Sequence, residues 1–184
     1  MSADNAPEVQ VENQLIRFTH EVPVDQEKAV KTLSGKRSGE FVLVQLDVPR
    51  AMIIIDQIGR IIVHGTKRIQ IARAAAKEIL LRMGRSDEGL SSETGTLQAS
   101  FKFPQELTFE GIEDALYPTE VSRDVRLDCV RINDTRHGIE LLIWPNGKAV
   151  ALGATHANLV AMSAVHWGAK LKSANLFIAA SSGE

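Results

Sequence analysis

The sequence predicts an α+β fold: two pseudo-symmetric repeats forming a curved antiparallel sheet, a saddle, with helices on its convex face. Three observations predict it. The stretch from Arg50 to Met83 reads RAMIIIDQIGRIIVHGTKRIQIARAAAKEILLRM, two β-branched runs about a glycine turn, followed at once by an amphipathic helical pattern. The stretch from Gly138 to Leu171 reads GIELLIWPNGKAVALGATHANLVAMSAVHWGAKL, and one offset of 88 residues carries Gly59 onto Gly147 and Gly65 onto Gly153. That is an internal repeat. What precedes each block also has one order: a strand, a short helix and a further strand. Two copies are too few for a solenoid, so the expected outcome is two sheets joined edge to edge, which hides an edge strand in each.

In chain order, residues 1–8 read as a flexible leader and 9–84 as the first repeat. Val9 to Thr19 alternates loosely and reads as a strand interrupted near Asn13-Gln14. Asp25 is placed to cap a short helix through Leu33. Ser34 to Gly39 reads as a basic turn, and Phe41 to Leu46 as a strand ended by the turn at Pro49. Ala51–Ile55 and Arg60–His64 form the hairpin about Gly59. In the helix that follows, Ile69, Ala72, Ala76, Ile79 and Met83 recur at three- and four-residue steps and should face the sheet. Residues 85–95, polar and rich in Gly and Ser, read as a linker. The second repeat, 96–184, should hold a strand over Thr96–Phe103, a short helix over Thr108–Leu116, a strand over Val125–Ile132, the second hairpin, a helix from about Thr155 to Leu171, and a tail whose Leu176, Phe177 and Ile178 pack back.

Composition narrows the function. The chain has 44% hydrophobic residues, a formal net charge of −2 and a pI near 6.2, without the basic excess common among nucleic-acid binders, though a local basic surface is all that DNA requires. No apolar run approaches the ~20 residues that span a bilayer, and the N-terminus lacks a signal-peptide core, so the expectation is a cytoplasmic protein that does not enter membranes. Cys129 is the single cysteine; its apolar surroundings favour a core residue. His137, His156 and His166 lack metal-ligand spacing, no phosphate-cradling loop or nucleophile elbow is present, and Asp56 with His64 lacks a nucleophile beside it. The expectation is no enzyme, no metal and no cofactor.

The duplicated strand, short helix, three strands and long helix, with Val9-Gln10-Val11-Glu12-Asn13, the run from Pro49 through Lys67, and Leu141 through Ala154 as the closest local matches, resembles the TATA-box-binding protein family (TBP), particularly its archaeal members. The resemblance implies a sheet lying on the minor groove of A·T-rich promoter DNA, apolar wedges that unstack base steps, rim cations on phosphates, and outer helices that recruit a transcription initiation factor. Carried over by position, Asn13 is a strand-one base reader. Trp144 stands where the family has a kinking Phe, and Phe41 and Leu127 lie near the upstream wedge positions. Ile62 and Val150 line the groove floor, and His64 takes the place of a hydroxyl. Arg60, Lys67 and Lys148 are rim cations, while Arg68, Arg73 and Lys77 form a basic helix face for a protein partner. The chain departs from the pattern at Asp56, where the first hairpin would carry its wedge and a carboxylate would meet phosphates, and at Leu152 and Thr155. Two readings follow: a divergent TBP-like initiation factor on double-stranded DNA, or a paralogue of the same fold that has lost TATA binding and acts as a protein-interaction or regulatory module.

Overall fold

The chain divides into two compact units, Glu12–Gly95 (the first) and Thr96–Glu184 with Met1–Val11 (the second); the computed structural model describes residues 6–179. The first unit holds β1 (Gln10–Thr19) from Glu12 onward, α1 (Gln26–Leu33), β2 (Lys36–Ser38), β3 (Phe41–Asp47), β4 (Arg50–Ile55), β5 (Ile61–His64) and α2 (Ile69–Arg82). Its strands pair antiparallel in the order β2-β3-β4-β5-β1. The second unit holds β6 (Ser91–Lys102) from Thr96 onward, α3 (Ile112–Ala115), β7 (Val121–Asp124), β8 (Cys129–Asp134), β9 (Ile139–Ile143), β10 (Lys148–Ala154) and α4 (Ala157–Ser173). Its order, β7-β8-β9-β10-β6, is the same path.

The repeat extends to the pairing of individual residues. Val42–Ile55, Val44–Ile53 and Leu46–Ala51 of β3 and β4 recur, 88 residues on, as Val130–Ile143, Ile132–Leu141 and Asp134–Ile139. Ile53–Val63 and Ile55–Ile61 recur as Leu141–Ala151 and Ile143–Ala149. The first strands are related instead by 83 residues, since Ile16 and Phe18 meet β5 as Ala99 and Phe101 meet β10. Strand side chains alternate between faces, and in each unit one set packs on helices. Ile16, Phe18, Val42, Val44, Leu46, Ile53, Ile55 and Val63 join Ala72, Ala75, Ala76, Ile79 and Leu80 in one core; Ala99, Phe101, Val130, Ile132, Leu141 and Ile143 join Val160, Ala164, Trp167 and Leu171 in the other. Among the described residues, the helices pack on that face, and none joins the opposite face of either sheet.

One contact explains both hairpin glycines. Val24 N–H donates to Gly59 O at 2.9 Å, and Phe103 N–H to Gly147 O at 2.8 Å, so the chain leaving each first strand lies across the turn. A Cβ on Gly59 would come within 2.7 Å of Val24 backbone atoms, and one on Gly147 within 2.7 Å of Gln105 O. Both also hold positive φ, 84° and 88°, where only glycine sits without strain.

Several expectations are corrected. β1 runs through Asn13-Gln14 without a break, and the basic turn after α1 contains the edge strand β2. The stretch read as linker holds the first residues of β6, from Ser91. The helix expected over Thr108–Leu116 shrinks to the four residues of α3 because it starts from Gly111 in a left-handed conformation with no side-chain cap. The strand expected over Val125–Ile132 begins only at Cys129, in β8; residues 125–128 are a turn, and β7 lies before them. Asp124 Oδ1 accepts from Arg126 N and Leu127 N, a local turn that competes with the ladder. On α2 the buried stripe is Ala72, Ala75, Ala76, Ile79 and Leu80; Ile69 is exposed and Met83 only half-buried. α1 is capped as expected, Asp25 Oδ1 accepting from Lys28 N at 2.9 Å. In the tail, Leu176 is buried and Phe177 packs edge-on against Phe103, whereas Ile178 is exposed and held through its N–H to Glu106 O.

Candidate nucleic-acid interface

The helix-free face of each unit is built from rows of residues aligned across the strands. In the first unit one row runs Leu43, Ile54, Ile62, Arg17 and the next Gln45, Met52, His64. The second unit carries Arg131, Leu142, Val150, Ser100 and then Asn133, Glu140, Leu152, Gln98. The shared feature is an aliphatic centre, Ile54 with Ile62, both half-buried, in one unit and Leu142, only 5% exposed, with half-buried Val150 in the other. Around it the units differ. Leu43 and Met52 of the first are replaced by Arg131 and Glu140, so the second face carries an ion triad: Arg131 donates to Asp124 Oδ2 at 2.8 and 3.0 Å and to Glu140 Oε1 at 2.6 Å. The Arg131 hydrogen bonds, with backbone N–H groups of Leu127 and Arg126, hold the Asp124 carboxyl below its usual range.

The aromatic positions are exchanged between units. Phe41 and Asp56 each lie one step beyond the Val42–Ile55 pair, as Cys129 and Trp144 lie one step beyond Val130–Ile143. Phe41 is 42% exposed and Cys129 4%. Each unit therefore presents one aromatic at that end of its face, on the strand in the first and on the hairpin in the second. Trp144 is half-buried and its Nε1–H donates to Leu127 O at 2.9 Å, which fixes the indole against the β7–β8 turn. That turn also bears Leu127, 48% exposed, and Val125, 91% exposed. Val125 is a surface hydrophobe that the sequence reading had placed inside a strand.

Asp56 does not face a groove. It is 5% exposed, its Oδ1 accepts from Ile58 N and Arg60 N at 3.2 and 2.8 Å, and its Oδ2 accepts from Arg60 Nε at 2.5 Å. The carboxylate closes its own hairpin, and Arg60 is held by it. In the second hairpin Asn146 does the equivalent work, accepting from Lys148 N at 3.0 Å, which leaves position 144 for an indole.

The other residues singled out from sequence are placed as follows. Asn13 Oδ1 accepts from Gly65 N at 2.9 Å. His64 is exposed on the open face. Lys67 pairs with Glu12 at 3.5 Å, and Lys148 is exposed on β10 opposite Lys102. Of the helix cations, Arg73 donates to Ser92 Oγ and lies over the Phe18 ring, Lys77 pairs with Asp87 at 3.1 Å, and Arg68 is exposed at the N-cap of α2.

A buried cluster that sequence reading missed ties α4 to the second sheet. Asp134, 1% exposed, accepts at Oδ2 from His137 Nδ1 (2.7 Å), Ser163 Oγ (2.6 Å) and Trp167 Nε1 (2.9 Å), and at Oδ1 from His137 N. A carboxylate only accepts, so His137 carries its hydrogen on Nδ1. Aspartate, serine and histidine are present, but the carboxylate is the hub and the hydroxyl donates into it at 0% exposure, an arrangement that braces and does not activate an oxygen. The 88-residue offset would have exposed it, since the first unit has Leu46, Ala75 and Ile79 at the same places, all fully buried.

No protein-family model matches the chain, and no curated protein does. Among solved structures, Methanococcus jannaschii TBP matches with a TM-score of 0.78 over 91% of this chain and 99% of that one, at 17% identity. A likeness at that identity is one of fold, and the fold is the α+β, two-repeat, antiparallel-sheet fold of TBP. A rolling circle replication initiator from Geobacillus stearothermophilus (11% identity, 86% of this chain and 80% of that one) and a heterotetrameric sarcosine oxidase from Corynebacterium sp. U-96 (9%, 98% and 91%) each reach a TM-score of only 0.34. Among the described residues, no helix is long and apolar enough to cross a membrane.

Proposed function

We propose, on the premise of the TBP fold, that this chain is a divergent TBP-like transcription initiation factor that lays the helix-free face of each unit on the minor groove of A·T-rich promoter DNA. The observation that carries the reading is the aliphatic centre repeated at the same register, Ile54–Ile62 and Leu142–Val150, with one aromatic per unit at Phe41 and Trp144. A shallow groove floor calls for flat apolar contact, and an aromatic at the end of that floor can enter a base step. Asn13, His64 and the edge of Val125 and Leu127 would border it. For recruitment of an initiation factor, α2 offers Arg68 with Ile69 and Ile71, exposed at 38% and 39%; Arg73 acts first in holding α2 to Ser92 at the start of β6, and Lys77 in holding it to Asp87.

A second reading, an interaction module without DNA, is favoured by the charges. Arg60 and Lys67 are engaged by Asp56 and Glu12, and Asp124 and Glu140 stand on the second face. Titration of a labelled A·T-rich duplex at fixed salt separates the two. The DNA reading expects saturable binding that weakens by about 1–3 kcal/mol in Trp144→Ala, the range for loss of one aromatic stack, and also weakens in Phe41→Ala. Absence of binding at low salt, with capture of a protein through α2, decides for the module.

A further inference from the structure

The two helix-free faces keep one register but not one chemistry. Leu43 and Met52 of the first unit stand where the second has Arg131 and Glu140, so only the second carries the triad of one guanidinium and two carboxylates. Arg131 Nη1 donates to Glu140 Oε1 at 2.6 Å while its Nε and Nη2 hold Asp124. Glu140 is thus fixed by a residue that is itself fixed. Its second oxygen, Oε2, accepts no hydrogen bond from the described residues. The side chain is 44% exposed, whereas Leu142, two residues along β9 on the same face, is buried. Glu140 also lines a concavity of about 290 Å³ with Glu120, Ser122, Arg131 and Asn133. A molecule laid on this face meets a positioned oxygen that can only accept before it meets Leu142.

The minor groove offers such an oxygen two different floors. An A·T pair shows only acceptors, adenine N3 and thymine O2, whereas a G·C pair adds a donor, the guanine N2 amine. Over A·T the carboxylate gives up water and faces lone pairs; over G·C it finds a hydrogen. We infer that Glu140 is a specificity-determining residue whose Oε2 accepts from the N2 amine of a guanine, so that the second unit takes a G·C pair within an otherwise A·T-rich site; this rests on the DNA reading above. Arg131 fixes the direction of the carboxylate. Met52, at the same register in the first unit, is uncharged and calls for no such pair.

The test is binding of the full chain, at fixed salt, to labelled A·T-rich duplexes in which one G·C pair is moved along the site. At one position or two adjacent ones, G·C should bind about tenfold tighter than A·T, the worth of one hydrogen bond to a charged acceptor. At that position hypoxanthine·C, which lacks the N2 amine, should fall back to the A·T level. Diaminopurine·T, which adds the amine to an A·T-like pair, should reproduce the gain. Glu140→Met, which installs the residue of the first unit, should abolish the preference and tighten binding to the duplex of A·T pairs alone. Arg131 keeps Asp124 in that variant, and urea unfolding checks that it folds; the base substitutions use the wild-type chain and stand without it. Binding that G·C weakens or leaves unchanged at every position overturns the guanine contact and leaves the DNA reading standing, as does equal binding of hypoxanthine·C and G·C. No duplex binding at low salt overturns both. An arginine-bearing peptide held by that duplex-blind chain and released by Glu140→Met would assign the carboxylate to a protein partner.

Discussion

At the scale of single residues, position 56 shows how one side chain changes meaning with its surroundings. Read as a wedge position, Asp56 argues against DNA and invites replacement by phenylalanine to restore a wedge. Folded, it is a turn brace that satisfies two backbone N–H groups and holds Arg60. Asp56→Ala should therefore lower stability by about 1–3 kcal/mol, the cost of leaving buried hydrogen-bonding groups unmatched, measured by urea unfolding. Asp56→Phe should lower it as well and leave duplex affinity no better, since the aromatic ring would enter a site that is 5% exposed. Stability equal to wild type in either variant would remove the brace from the account. Cys129 matches its sequence reading: it is buried, and burial first, then the charge of Asp124, pushes its thiol pKa up, which keeps it protonated and unreactive.

Among the elements, α2 and α4 cover equivalent sheets by different chemistry. Under α2 the layer is Leu46, Ala75 and Ile79; under α4 it is Asp134, Ser163 and Trp167. Burial alone would raise the Asp134 pKa, but hydrogen bonds from Ser163, Trp167 and His137 outweigh it and hold the carboxyl below its usual range. A depressed carboxyl pKa contributes stability that is fully present above the unfolded value, about 4, and is lost as pH falls below it through the folded value. Asp134→Ala should cost about 3–5 kcal/mol, as for a buried charge partner removed, and should also flatten the acid limb of stability against pH. Leu46→Ala should cost about 2–5 kcal/mol through its cavity and leave that limb unchanged. Equal pH profiles for the two variants would deny the hub its electrostatic role.

For the molecule as a whole, the same difference makes the two units respond unequally to mild acid. His166 on α4 stacks edge-on with His137 and Trp167. Its pKa is lowered by burial first, then by Arg136, with His137 and Lys170 adding to the effect and Asp134 opposing it. The folded state thus favours neutral imidazole, and its contribution is complete above the unfolded value of about 6.5 and is lost as pH falls toward the lower folded value. Glu78 occupies the matching place on α2. Between pH 7.5 and 5.5, amide-exchange protection corrected for intrinsic rates should fall along α4 and β8–β9 more than along α2 and β3–β4, and His166→Gln should remove the difference. Uniform loss in both units would refute it.

What the sequence determined by itself is the repeat and its hairpins. Glycines at 59 and 147, apolar runs of period two beside them and a helical period after them are local signals, and the offset of 88 held from residue spacing down to individual strand pairs. Asp25 was legible as a cap for the same reason, because a cap acts within three residues. The short α3, the strand β2 and the turn within 125–128 were less legible, because brief elements leave too few residues for a period to show. The interface depended on tertiary structure most of all. That Asp56 and Arg60 neutralise each other, that Arg131 is clamped by two carboxylates, that Asp134 is met by two donors from a helix about 30 residues away, and that Lys102 faces Lys148 are matters of which side chains the folded backbone brings within hydrogen-bond reach. A charge seen in sequence has no partner until the chain closes, and whether it is free to hold a ligand is decided only then.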